Sequence, residues 1–216
     1  MTSPVDYGLY VITDETIGSR RSHAEIALQA VLGGAGIIQL RDKRLSCTEL
    51  AVVGREIAVI TREAGAVFIV NDRLDIAIAC GADGVHLGQG DLRAGTARQL
   101  APPGFIIGVS VGTVEEAVIA EREGADYIAL SPTFSTASKD NAGPGYGLDR
   151  LREIRRKVAL PVIAIGGINR QNVQDVIAAG ADGIAVISAV VASPDITAAA
   201  RELRDLVQKS KRKTVR

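Results

Sequence analysis

Apolar residues gather along the chain in short clusters rich in β-branched side chains, at 9–12, 37–40, 67–70, 85–87, 105–109, 127–130, 162–165 and 184–187. Each run is too short for a helix and reads as a strand. Between them apolar positions recur at helical spacing, as over 24–32, 50–64, 114–123 and 173–179, so strand and helix alternate through the whole chain. The joints repeat as well. Gly34-Ala35-Gly36, Gly81-Ala82-Asp83, Gly124-Ala125-Asp126 and Gly180-Ala181-Asp182 each separate a helical segment from the next strand. Glycine suits the left-handed residue that ends many helices, and the small residue after it lets helix and strand approach closely.

Eight strands with intervening helices predict one closed parallel (β/α)8 barrel over residues 1–208, with no linker or second domain. An open doubly wound sheet of this length would usually use fewer strands. In such a barrel the chemistry belongs at the carboxyl ends of the strands, on the loops that lead into the helices. The basic stretch 209–216 has neither helical pattern nor aromatic interleaving and reads as a frayed, solvated tail.

Composition narrows the picture. At 47% apolar and 3% aromatic residues, the core must be built from Ala, Val, Ile and Leu. Twenty-five basic residues balance twenty-five acidic ones, which leaves no global field for nucleic acid or a membrane surface and makes charge act locally. No apolar run is long enough to span a bilayer, and residues 1–6 lack the regions of a secretory signal, so a soluble cytoplasmic protein is expected. Cys47 and Cys80 lack metal-ligand spacing and fit reduced thiols. The oligomeric state is left open by the sequence, a homodimer included.

Polar residues cluster where the barrel rim should be. Gln39, Arg41 and Lys43 follow the second strand two residues apart and share one direction. A guanidinium fork, an ammonium and an amide together suit a phosphorylated heterocycle; the bland alternative is a solvated strand end. Asn71-Asp72-Arg73 follows strand three and His86-Leu87-Gly88-Gln89-Gly90-Asp91 follows strand four. Two carboxylates at adjacent strand ends can share a magnesium ion with substrate phosphate. Taken alone, Asp72 reads more readily as a helix N-cap. His86 reads as a hydrogen-bonded barrel residue, and His23, at a helix start, carries no evident chemistry.

Ser110 places a hydroxyl at the end of strand five. The stretch 131–147, rich in Gly, Pro and hydroxyl residues around one lysine, suits a flap over an anionic substrate. The paired glycines Gly166-Gly167 after strand seven, with Ile187-Ser188 after strand eight, form a second candidate anion site.

Taken in order, Q-L-R-D-K, F-I-V-N-D-R, G-A-D-G-V-H-L-G-Q-G-D, G-V-S-V-G-T-V-E-E-A, S-T-A-S-K, A-I-G-G-I and V-I-S-A resemble the thiamine-phosphate synthase family over residues 10–189, one motif per strand end. The resemblance implies a (β/α)8 barrel that joins 4-amino-5-hydroxymethyl-2-methylpyrimidine diphosphate to hydroxyethylthiazole phosphate, with Mg2+ and release of pyrophosphate. It implies that Gln39, Arg41, Lys43, Asn71 and Lys139 hold the pyrimidine diphosphate, that Asp72 and Asp91 hold Mg2+, and that Ser110 touches the pyrimidine. Thr136, Ser138, Gly167, Ile187 and Ser188 would meet the thiazole phosphate. Arg41, Lys43, Lys139 and Ser110 would carry the catalytic work. One departure is Ser138, where many members have a second threonine; the hydroxyl is kept, and only a small change in affinity is expected. A thiazole tautomerase of the same fold would place a histidine after the strand-five serine, where Val111-Gly112-Thr113 stands here. A non-catalytic phosphate-binding barrel would need neither Asp72 nor Asp91.

Overall fold

The computed structural model describes residues 5–19, 21–136 and 144–214. Eight parallel strands, β1 (Leu9–Ile12), β2 (Ile37–Leu40), β3 (Val67–Asn71), β4 (Gly84–Leu87), β5 (Ile106–Val111), β6 (Tyr127–Leu130), β7 (Val162–Ile165) and β8 (Gly183–Val186), close in sequence order into a barrel. Its helices are α1 (His23–Leu32), α2 (Cys47–Ala64), α3 (Leu74–Cys80), α4 (Ala94–Leu100), α5 (Val114–Arg122), α6 (Gly147–Arg155), α7 (Val173–Ala178), α8 (Ser188–Val191) and α9 (Ile196–Thr214). All eight predicted strands are present and β8 pairs back to β1. No helix among the described residues is long and apolar enough to cross a membrane.

Strand alternation sorts side chains between the barrel interior and the helix ring. Leu40 faces outward to α2, where a Cβ on Gly54 would come within 3.8 Å of it, whereas Gln39 faces inward and is 2% exposed. Small residues in the interior make room for large ones. Register pairs Gly108 on β5 with both His86 on β4 and Tyr127 on β6, and a Cβ on Gly108 would lie 2.0 Å from Tyr127 Cζ. Gly108→Ala therefore forces the ring aside, an overpacking expected to cost about 1–3 kcal/mol. A lowered denaturation midpoint with an altered tyrosine near-UV spectrum would show it.

The joint glycines behave as the repeat predicts, with positive φ at Gly34, Gly81, Gly124 and Gly180. The aspartates that follow do more than the sequence reading assigned. Asp83, Asp126 and Asp182 accept the backbone N–H of Phe68 (2.8 Å), Ile107 (2.7 Å) and Val162 (2.8 Å), at the starts of neighbouring strands. Arg98 and Arg155 brace Asp126 and Asp182 from the helix ring. These contacts tie neighbouring strand starts together at the amino-terminal end of the barrel, the end that carries stability rather than chemistry in this architecture. Asp182→Ala should lower unfolding free energy by about 1–2 kcal/mol by orphaning the Val162 N–H, and kinetic constants measured beside the urea curve should not move.

One expectation is corrected. Helix α9 continues through Lys209 to Thr214 instead of giving way to a frayed tail. Leu203 and Val207 bury its apolar stripe and Ser210 Oγ donates to Leu206 O. The basic residues interrupted the hydrophobic pattern without breaking the helical one.

Candidate active site

Five polar side chains cross the barrel just below its carboxyl-terminal rim. Gln39 Nε2 donates to Tyr10 Oη (2.5 Å), Tyr10 Oη meets Tyr127 Oη (3.0 Å), and Tyr127 Oη meets His86 Nδ1 (2.9 Å). His86 Nε2 then meets Ser110 Oγ (2.9 Å). An amide nitrogen can only donate, so protons satisfy each contact once when they run in one direction: Gln39 to Tyr10, to Tyr127, to His86 Nδ1, with His86 Nε2–H donating to Ser110. Burial raises the pKa of both Tyr10 and Tyr127, keeping them neutral donors. The line fixes Gln39 at one side of a small cavity lined by Tyr10, Gln39 and His86. Ser110 is fixed from the other side. His86 is hydrogen-bonded within the barrel as predicted; the two tyrosines were not singled out from the sequence.

At the rim above β3 and β4, Asp72 and Asp91 bring two carboxyl groups near enough to act on one another. Burial pushes the Asp72 carboxyl up to about 6, the facing Asp91 adds to the rise, and Lys43 and Arg41 oppose it. The backbone holds Asp72 at a φ of 63°, with its N–H donating to His86 O (2.8 Å). Asp91 folds back on its own turn, accepting from Gly88 N (2.7 Å). Neither is a helix cap: the N-caps of α3 and α4 are Arg73 and Arg93, and neither makes a side-chain cap bond. The capping alternative for Asp72 therefore falls. Asn71 ends β3 opposite His86 at the same rim. No group of three or more His, Cys, Asp or Glu side chains among the described residues could hold a metal, so a cation here would complete its shell with other oxygens.

Arg41 and Lys43 lie close enough to Asp72 to pull on its titration. Neither enters a salt bridge among the described residues, unlike Arg44, Arg73, Arg93 and Arg98. Cations with that freedom can turn to an incoming anion. Between them Asp42 points the other way, its carboxylate 3% exposed. Burial disfavours its charge, yet Arg44, the N–H groups of Arg44 and Leu45, and His23 hold it well below the usual carboxylate range.

Across the rim, the loop after β6 is laid onto the loop after β7. Thr133 N donates to Ile165 O (2.6 Å) and Phe134 N to Gly166 O (3.1 Å). Gly167, at a φ of +63°, leaves space for this loop, since a Cβ there would stand 2.6 Å from Ser135 O. The paired glycines thus seat the loop that leads to Thr136. Tyr146, from the far end of that loop, sets its hydroxyl where a Cβ on Gly112 would be 2.2 Å away. Ile187 is buried as the N-cap of α8, and Ser188 is its exposed first residue. Ser138 and Lys139 lie outside the described residues.

Known proteins resemble this chain over nearly its whole length. The family model described as thiamine monophosphate synthase matches residues 9–190. A thiamine-phosphate synthase of Methanoregula boonei is 66% identical over 203 residues, covering 94% of each chain. One of Methanoculleus marisnigri is 63% identical over 205 residues, covering 95% of this chain and 97% of its own. Among solved structures, a thiamine phosphate pyrophosphorylase from Pyrococcus furiosus superposes with a TM-score of 0.88 at 42% identity, covering 95% of this chain and 98% of that one.

Proposed function

The chain belongs to the thiamine monophosphate synthase family, and from that premise we propose how its rim residues divide the work. The activity is that of a transferase, a thiamine-phosphate synthase. The methylene carbon of the pyrimidine diphosphate loses its bond to oxygen and gains one to the thiazole nitrogen, and pyrophosphate departs with the electron pair of the broken bond.

The reaction is read as dissociative, with diphosphate leaving before the nitrogen arrives. No general base is needed, so the protein's tasks are to place two substrates, meet charge on the leaving group, and keep water from the pyrimidine-methyl cation. Arg41 and Lys43, with Lys139, take the diphosphate; Asn71 and Gln39 fix its pyrimidine end, and Ser110 orients the ring. Thr136, Ser138, Gly167, Ile187 and Ser188 take the thiazole phosphate on the β6 to β8 side. The observation that carries the reading is Asp72 against Asp91, with two cations beside them. Two carboxylates forced together fit a hard dication, which magnesium satisfies with one or two carboxylates plus phosphate and water oxygens. Bound there, Mg2+ would neutralise charge on the diphosphate.

The tautomerase alternative lacks its histidine: Thr113, which stands in that segment, caps α5 with Glu116. Balanced charge and two free cysteines support a cytoplasmic enzyme acting on small phosphorylated molecules, not on nucleic acid. Mixing the protein with both substrates and Mg2+ should yield thiamine phosphate and pyrophosphate in equal amounts, and EDTA should stop both. Pyrophosphate release that continues unchanged in EDTA would remove the dication from the scheme.

A further inference from the structure

We propose that His23, buried behind the rim, is a positioning residue for the diphosphate grip, acting through Asp42 on the turn that carries Arg41 and Lys43. The proposal rests on the reading of Arg41 and Lys43 given above. His23 is the first residue of α1 and is 0% exposed. Its Nδ1 lies 2.7 Å from Thr13 Oγ1 and its Nε2 lies 3.3 Å from Asp42 Oδ2. Glu15 is the other charged neighbour, accepting the His23 backbone N–H (3.2 Å) and standing 3.9 Å from Nε2.

The direction of these contacts follows from Asp42. An ionised carboxylate only accepts, so the ring nitrogen facing it must carry hydrogen. The single Thr13 hydroxyl proton goes either to Nδ1 or to Gln39 O, which lies 3.3 Å from Oγ1, and in the second case a doubly protonated ring donates to Oγ1; in both cases Nε2–H donates to Asp42. Thr13 also ties the end of β1 to β2, its backbone N–H donating to Gln39 O (2.9 Å).

Three segments therefore meet on one imidazole: the end of β1, the start of α1, and the turn between β2 and α2. On its open side Asp42 is held by Arg44 N (2.6 Å), Leu45 N (3.1 Å) and Arg44 Nη2 (2.7 Å). Arg44 is exposed, and a surface guanidinium is a weak tether. His23 supplies the contact from the barrel wall. Asp42 turns to His23 while Arg41 and Lys43, on either side of it, both act on Asp72, so fixing its carboxylate fixes the backbone from which both cations project. A side chain that merely filled this space would be apolar, because burying an imidazole without using its hydrogen bonds is unfavourable.

The test compares His23→Asn, His23→Gln and Thr13→Val, with Arg41→Ala as reference, on protein shown to be folded by circular dichroism. Binding of inorganic pyrophosphate with Mg2+ is measured by calorimetry, and KM is measured for each substrate. His23→Asn, which loses the donor at the Nε2 position, should weaken pyrophosphate about tenfold and raise the KM for the pyrimidine diphosphate to match. The KM for thiazole phosphate should stay within about twofold, a split that simple loss of packing would not produce. His23→Gln, whose amide nitrogen can stand where Nε2 stood, should recover most of the loss. Should His23→Asn fail to fold, Thr13→Val keeps volume, frees the ring and should weaken pyrophosphate about threefold. Pyrophosphate affinity within twofold of wild type in every His23 and Thr13 variant that folds, beside a clear loss in Arg41→Ala, overturns the proposal and leaves the site reading standing. Unchanged affinity in Arg41→Ala overturns the site reading, and this proposal with it.

Discussion

Asp72→Asn should melt at a higher temperature than the wild type in metal-free buffer at pH 8 while losing roughly a hundredfold or more in turnover. The gain in stability comes from the position of the carboxylate. Its pKa is pushed up to about 6 by burial and by Asp91, so in the folded protein the charged form is disfavoured. Taken at face value such a rise would amount to about 3 kcal/mol; the group is only half-buried, and screening reduces it to about 1 kcal/mol. That corresponds to about 2–4 °C in a chain of this size. Asparagine keeps the side-chain shape and tolerates the left-handed backbone that Asp72 adopts, so little is lost in exchange.

The pH dependence has a definite sign. Below the unfolded pKa of about 3.9 both states are protonated and the wild type carries no penalty. As pH rises towards about 6 the folded state holds more protons than the unfolded one, so stability falls, and above that the full penalty is present. The variant's advantage should therefore be small near pH 4 and full at pH 8. Millimolar Mg2+ should raise the melting temperature of the wild type and barely that of the variant. Identical melting curves at both pH values would show that Asp72 is not under this strain.

Arg41→Ala should lower kcat/KM by about a hundredfold to a thousandfold through loss of a charge-assisted grip on the leaving group. The affinity for thiazole phosphate should hold within about threefold, because that phosphate is assigned to the far side of the rim. Arg41 also lowers the pKa of Asp72, so the acid limb of the activity profile should move to higher pH in the variant. Separate measurement of KM for the two substrates decides the matter: an equal loss for both would contradict two distinct subsites.

Much of this was legible in the chain. The strand runs were, since buried parallel strands are short, β-branched and punctuated by glycine; β5 moved at both ends, from 105–109 to Ile106–Val111, and β3, β4 and β8 differ from their expected bounds by one residue. The rim residues from Gln39 to Asp91 were legible because barrel topology assigns every strand end to one face. What stayed hidden depended on contacts between distant segments. Tyr10 and Tyr127 meet across 117 residues, and their only local trace is a polar-tipped aromatic inside each strand, with a glycine at 108 to receive one ring. Thr13, His23 and Asp42 look like three unrelated polar residues until β1 and β2 pair; parity alone could have flagged Asp42 as a carboxylate aimed at the wall. The Gly166-Gly167 pair was noticed for its exposed amides, whereas the fold also uses its missing side chains to admit a loop from β6.

The aspartates at the amino-terminal mouth have a consequence for how this chain can change. Asp83, Asp126 and Asp182 tie strand starts together without touching the opposite rim, so integrity of the cylinder does not depend on which residues crown it. A designer could graft new loops onto the crown, and drift could do the same, while these three anchors are left alone. The same separation lets a carboxylate pair as uncomfortable as Asp72 and Asp91 persist in a folded protein: the eight strand ladders and the ties at the other end do not depend on it.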